Sequence, residues 1–170
     1  MLRLWAGFHD VGMKSGNQGV ALAPDCRQQH IVDLENLSGG WVTPARTVEI
    51  FRRYQELVPI GPLDDVVVGL SPATAPAAAF DVHPRSRVRV GSPGPDSADD
   101  ALIAAIDPDF TAAHFPRVII ASGDHAFAAL AASLRARGVE VVVLFVPLHV
   151  AAVLYTAASD SRRFPAMAAA

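Results

Sequence analysis

A single cysteine, Cys26, in 170 residues excludes an internal disulfide and points to a reducing compartment, the cytoplasm by default. The first residues hold no sustained apolar core, so no conventional signal peptide is expected. Positive charge is not in excess. With a formal net charge of -3 the chain has no broad basic field, and any contact with nucleic acid has to be local. The six histidines are dispersed and the cysteine stands alone, so the ligand clustering that zinc requires is missing. A phosphate loop is missing too: Gly12-Met13-Lys14-Ser15-Gly16 has suitable residues in the wrong order, with no strand before them. The strongly apolar stretch Val141 to Leu154 falls short of the roughly 20 residues of a membrane span. It also contains Pro147 and His149 and opens with β-branched residues that favour a strand.

What is present is a chain that is 51% apolar and long enough for one domain with a sizeable core. Residues 1–29 read as an extension, 30–158 as the domain and 159–170 as a tail. Ile31-Val32-Asp33-Leu34-Glu35-Asn36 is an apolar run that ends in polar groups, as expected of a buried parallel strand delivering them to its carboxyl end. Arg117-Val118-Ile119-Ile120-Ala121, followed by Ser122-Gly123-Asp124, repeats that arrangement. If the two strands are neighbours, Asp33 and Asp124 face each other across one crevice. Asp65 to Leu70, Ser86 to Val90 and Val139 to Val146 supply three more strands.

Helical spacing fills the gaps. Thr43-Pro44 is a helix start, with Ile50, Phe51, Tyr54, Leu57 and Val58 on one face. Pro72 to Phe80 suggests a short helix. Ser97 with Asp100 three residues on resembles a capping box, which makes Asp96 and its neighbours candidates for capping; that helix is expected to stop at Pro108. Asp124 opens the next helix, with Phe127, Leu130, Ala131 and Leu134 inward and Gly138 as its stop. Beyond Leu154 at most one more helical turn is expected. Five alternations of strand and helix indicate an α/β fold, a doubly wound parallel sheet of about five strands with right-handed crossovers.

Arg46, Arg52 and Arg53 on the first long helix are left for solvent or a phosphate backbone, and exposed arginines are most often simply solvated. Arg85, Arg87 and Arg89 project to one side of the third strand, a pattern that also protects a sheet edge. The acids are more informative. Asp33, Asp96 or Asp99, Asp100 and Asp124 fall at the ends of separate elements and not along one solvent face. Convergent carboxylates suit hard divalent cations such as Mg²⁺ or Mn²⁺, which prefer oxygen, keep several waters and can activate water against a phosphodiester.

Three segments together resemble the NYN domains of the PIN-like nuclease superfamily. These are Ile31-Val32-Asp33-Leu34-Glu35-Asn36-Leu37, Ser97-Ala98-Asp99-Asp100-Ala101-Leu102, and Val118 to Phe127 with its central Ser122-Gly123-Asp124. The likeness spans roughly His30 to Val146, with Gly138-Val139-Glu140-Val141 behind the third segment. It implies a Rossmann-like three-layer PIN-like fold with strand order 3-2-1-4-5, and a Mg²⁺ or Mn²⁺ dependent ribonuclease whose partner is RNA. It implies that Asp33, Asp99 and Asp124 bind metal, with Asp100 a further acid, Asn36 the polar residue after the first strand and Ser122 the small hydroxyl beside the third acid. Asp96 is a supporting candidate, and Arg46, Arg52, Arg53, Arg87, Arg89 and His125 are candidates for RNA contact. No membrane is implied, and a homodimer is left open. Many relatives carry another acid soon after the third motif, where this chain reads His125-Ala126-Phe127-Ala128. The alternative is therefore a degenerate NYN domain that binds RNA or a protein partner without cutting. A different phosphate enzyme is a third reading, but Asp33-Leu34-Glu35 lacks the phosphate loop of an ATPase and no Asp-x-Asp phosphatase motif follows a strand.

Overall fold

The computed structural model describes residues 26–167; the extension up to residue 25, with its Gly12 to Gly16 segment, and residues 168–170 lie outside the described residues. Along the chain come β1 (Gln28–Asp33), α1 (Leu34–Ser38), α2 (Pro44–Leu57), β2 (Asp65–Leu70), α3 (Ala75–Ala78), β3 (Ser86–Val90), α4 (Ser97–Ala104) and α5 (Pro108–His114). There follow β4 (Arg117–Ala121), a 3₁₀ turn (His125–Phe127) that runs into α6 (Ala128–Ala136), β5 (Glu140–Phe145), α7 (Ala152–Ala157) and β6 (Asp160–Arg163). All strand pairs are parallel and the order is β3-β2-β1-β4-β5-β6, the expected Rossmann-like order extended by a sixth strand.

Valine and isoleucine dominate the central strands because both faces of the sheet are covered. On one face Val32, Val66, Val68 and Val142 pack under Ile50, Phe51 and Tyr54 of α2. On the other, Ile31, Val67, Ile120 and Val143 meet Leu102 of α4 and Leu130 and Leu134 of α6. The amino end of α2 forms as its sequence suggests: Thr43 Oγ1 accepts the Arg46 N–H at 3.2 Å and Pro44 opens the first turn. At Gly69 a Cβ would stand 2.6 Å from Leu102 Cδ1, so the missing side chain lets α4 lie low across β2. Gly69 pairs with Asp33 in the register, which brings the start of α4 beside the end of β1.

Three local expectations are corrected. The capping box at Ser97 does not form: Asp96 is the cap residue in the left-handed region at φ 54°, with no side-chain cap bond, and Ser97 is already helical. Pro108 does not merely end a helix. It opens α5, where Asp107 Oδ1 accepts the N–H groups of Asp109 and Phe110. Beyond Leu154 the chain completes α7 and then adds β6, which pairs with β5 from Val142↔Asp160 to Phe145↔Arg163. β6 escapes a pattern search because an edge strand can carry charge on its open side, as Asp160, Arg162 and Arg163 do. The apolar stretch Val141 to Leu154 is β5, a loop and the first half of α7. Among the described residues no helix is long and apolar enough to cross a membrane.

Candidate functional site

A cleft of about 590 Å³ opens at the carboxyl ends of β1, β2 and β3, on the side where α4 crosses. Asp33, Glu35 and Asn36 form one wall, Ser71 to Ala73 a second, the segment from Pro93 to Asp99 a third, and Asp124 stands at the remaining side. Asp33 is the last residue of β1 and the cap of α1, so its backbone is extended while its Oδ1 accepts the Asn36 N–H at 3.0 Å. Its Oδ2 accepts the Ser122 hydroxyl at 2.8 Å, across the β1–β4 seam. Ser122 Oγ in turn accepts the Asp124 N–H at 3.1 Å, while Asn36 Oδ1 accepts the Gly123 N–H at 3.0 Å. The first and third motifs are thus tied together by a hydroxyl and an amide.

Burial pushes the Asp33 carboxyl above its ordinary value, opposed by its bonds to Asn36, Ser122 and Asp99. Asp99, nearly buried at the start of α4, is pushed up to about 7, first by burial, then by the charges of Asp33 and Asp124. Asp33 and Asp99 therefore stand as a repelling pair of carboxyls, and Asp96 adds a smaller repulsion to Asp99. Asp124 caps the 3₁₀ turn: its Oδ1 accepts the Ala126 N–H at 2.8 Å and lies 2.9 Å from His125 Nδ1.

Because the folded pKa of Asp99 lies above the unfolded one, the folded chain binds more protons between pH 4 and 7, and stability falls as pH rises through that window. Asp99→Asn should flatten this slope. Allowing for screening by solvent at the open cleft, its gain at pH 7 and above is on the order of 1–2 kcal/mol. Melting curves of wild type and variant across pH 4 to 8 test this, and parallel pH profiles would contradict it.

The remaining sequence candidates divide. Asp96 lines the cleft and is exposed, whereas Asp100 points to solvent and does not line it. Glu35, read from sequence only as part of the acidic strand end, holds the second wall: its Oε1 accepts the Ser71 N–H at 2.8 Å and the Thr74 hydroxyl. Against partial burial, these bonds hold Glu35 below the usual carboxylate range. No local signal could have shown this, since the partners are 36 and 39 residues away.

The arginines are less convergent than their spacing suggests. Arg46, at the amino end of α2, reaches back to the Ser38 carbonyl at 2.8 Å. Arg52 and Arg53 lie about 9 Å or more farther along the helix axis by its rise per residue. There they pair with Glu49, Arg53 at 2.7 Å, and Arg52 also with Glu56. Arg87 turns to Asp65, the first residue of β2, at the far end of the sheet from the cleft. Arg89 shares the register row of Gly69 and Asp33, and since Val88 packs on the α2 side, alternation puts Arg89 on the α4 side. His125 is largely exposed beside Asp124.

Among the described residues no three His, Cys, Asp or Glu side chains stand close enough to hold one ion together. Fold and site define an α/β protein with a doubly wound parallel sheet and a carboxylate cleft at its topological switch point. No family model matches the chain, and no curated protein matches it. A crystal structure of a protein of unknown function from Vibrio parahaemolyticus is similar to this chain at 17% sequence identity and a TM-score of 0.49, over 84% of this chain and 95% of that one.

Proposed function

We propose that the cleft is the active site of a Mg²⁺ or Mn²⁺ dependent endoribonuclease of the NYN type, cutting RNA phosphodiester bonds in the cytoplasm. The observation that carries this reading is the arrival of Asp33, Asp99 and Asp124 in one cleft from three elements, with Asp99 raised to about 7 by burial and by the other two. That is an uncompensated negative field of oxygen donors, which a hard divalent cation would offset. The donor set fits Mg²⁺ or Mn²⁺, which need only one or two direct carboxylates and keep several waters, better than a cation that demands three convergent protein ligands. Asp33 and Asp99 would hold the ion, with Asp124 and Asp96 adding charge around it. When bound, it would activate water and neutralise charge on the phosphodiester during in-line displacement.

The chain's own groups do the positioning. Ser122 fixes one oxygen of Asp33, Asn36 anchors the β4 turn through Gly123, and Glu35 fixes the loop from Ser71 to Thr74 as a wall. Arg89 on the sheet edge and Arg46 at the start of α2 are the arginines best placed for flanking phosphates. A degenerate site that binds RNA without cutting is the second reading, favoured by the sequence at Ala126, which offers Asp124 only its backbone N–H.

Purified protein with a labelled single-stranded RNA separates the two. The expected result is cleavage with Mg²⁺ or Mn²⁺ that stops on chelation. Saturable binding without cleavage in either metal selects the degenerate site, and neither binding nor cleavage rejects both.

A further inference from the structure

A second cleft, of about 420 Å³, lies on the other side of α1 from the acids. Leu37, Trp41, Arg46, Val146, His149 and Met167 shape it, and among the described residues that line it there is no acid. Trp41 is 63% exposed and, unlike the exposed Phe80 and Phe110, it lines a cleft, so its indole presents an open aromatic face to whatever enters. We infer that this cleft is a nucleobase subsite, in which the Trp41 indole stacks a base of the RNA strand whose phosphate lies in the acidic cleft. The inference rests on the nuclease reading and deepens it.

Three observations choose a nucleotide strand as the occupant. The first is charge: one cleft collects carboxylates, while its neighbour has an arginine at its rim and no acid, the alternation that a strand of phosphates and bases would meet. The second is spacing. Glu35 and Asn36 face the acidic cleft while Leu37 and Ser38, next in the same helix, face the other. These two pairs are consecutive along α1, about 3 Å apart in rise, so the clefts adjoin within about one nucleotide step of roughly 3.4 Å. The third is rigidity: His149 of the second cleft belongs to the loop whose backbone closes over Gly123, and Gly123 is bonded to Asn36 of the first cleft. Both clefts are therefore built on one frame. Aromatic platforms take bases of any sequence, because every base has a π face.

The test uses the full chain carrying Trp5→Phe, so that Trp41 is the only tryptophan, and a mixed-sequence single-stranded oligoribonucleotide with Ca²⁺ in place of Mg²⁺ as the hard cation for the same oxygens, cleavage being followed separately in Mg²⁺. Saturable quenching of Trp41 emission is expected. Trp41→Ala should raise Kd roughly ten-fold, with the slope of log Kd against log salt unchanged, because a stacked base releases no counterions. Trp41→Phe should lose less, and thermal melts confirm that the exposed position tolerates both variants. RNA that is bound and cut with no change in Trp41 emission, and with Kd unaltered in Trp41→Ala, overturns the subsite while the nuclease stands. RNA neither bound nor cut overturns both. A dimer, seen by sedimentation, that Trp41→Ala dissociates with no effect on RNA affinity also overturns the subsite and gives this face to a second copy of the chain.

Discussion

Asp33→Asn and Asp124→Asn should each lower RNA cleavage in Mg²⁺ by about 10³-fold or more, while neither lowers the melting temperature. The loss follows from charge: several kcal/mol of transition-state stabilisation by a metal ion depend on the carboxylates that hold it, and ~1.4 kcal/mol is a factor of ten in rate. The retained stability follows from the local bonds. Asparagine caps a helix as well as aspartate does, so Asn at position 33 can still accept the Asn36 N–H. Its amide nitrogen takes the place of Oδ2, donating toward Asp99 and to Ser122 Oγ, so the serine turns from donor to acceptor while one carboxylate of a repelling pair is removed. At position 124 an amide oxygen can still accept the Ala126 N–H. Cleavage rates on one labelled RNA, with melts of the same preparations, decide the matter. Undiminished cleavage in both variants would place the chemistry elsewhere in the molecule.

Gly123→Ala should cost about 2 kcal/mol or more in stability and impair the site with it. The loop after β5 lies directly on this residue: a Cβ here would stand 1.7 Å from the His149 carbonyl oxygen and 2.7 Å from its carbon. Both obstacles are backbone, so no rotamer can relieve the clash, and overpacking of this kind costs typically 1–3 kcal/mol or more. The displaced parts are not neutral. Gly123 O accepts the Ala151 N–H at 2.8 Å, its N–H binds Asn36, and its chain neighbours are Ser122 and Asp124. For a domain of this size the melting temperature should fall by roughly 5–10 °C, and cleavage measured well below that temperature should fall too. A variant with wild-type melting would mean that the loop yields more easily than its contacts suggest.

The central sheet was legible because buried parallel strands leave an unbroken β-branched signature; β4 runs from Arg117 to Ala121, as its sequence suggests. The meeting of Asp33 with Ser122 and Asp124 followed once those strands were neighbours. What escaped lacks periodicity or is held by distant partners. The residues of β6 carry little apolar pattern, and α5 was hidden because proline both stops helices and starts them; Asp107 before it was the signal for a start. Asp100 sat beside Asp99 in the motif, yet one step along a helix turns a side chain about 100°, which leaves Asp99 in the cleft and Asp100 outside. The arginines of α2 looked like a phosphate track, but Glu49 at helical spacing from Arg52 and Arg53 makes much of that face a charge ladder.

The strand order also sets a timetable. The bonds that finish the acidic cleft join residues 89 and 87 positions apart in the chain, Ser122 to Asp33 and Gly123 to Asn36. During synthesis from the amino end, β1, α1 and β2 emerge long before the segment that completes them, and contacts of such separation form late. Until β4 pairs with β1, Asp124 is not in place and Asp33 has no hydroxyl partner across the seam. If the cleft cuts RNA as proposed, this order of assembly keeps the site incomplete, and the chain harmless toward the messenger from which it is being translated, until the segment after β4 has been made.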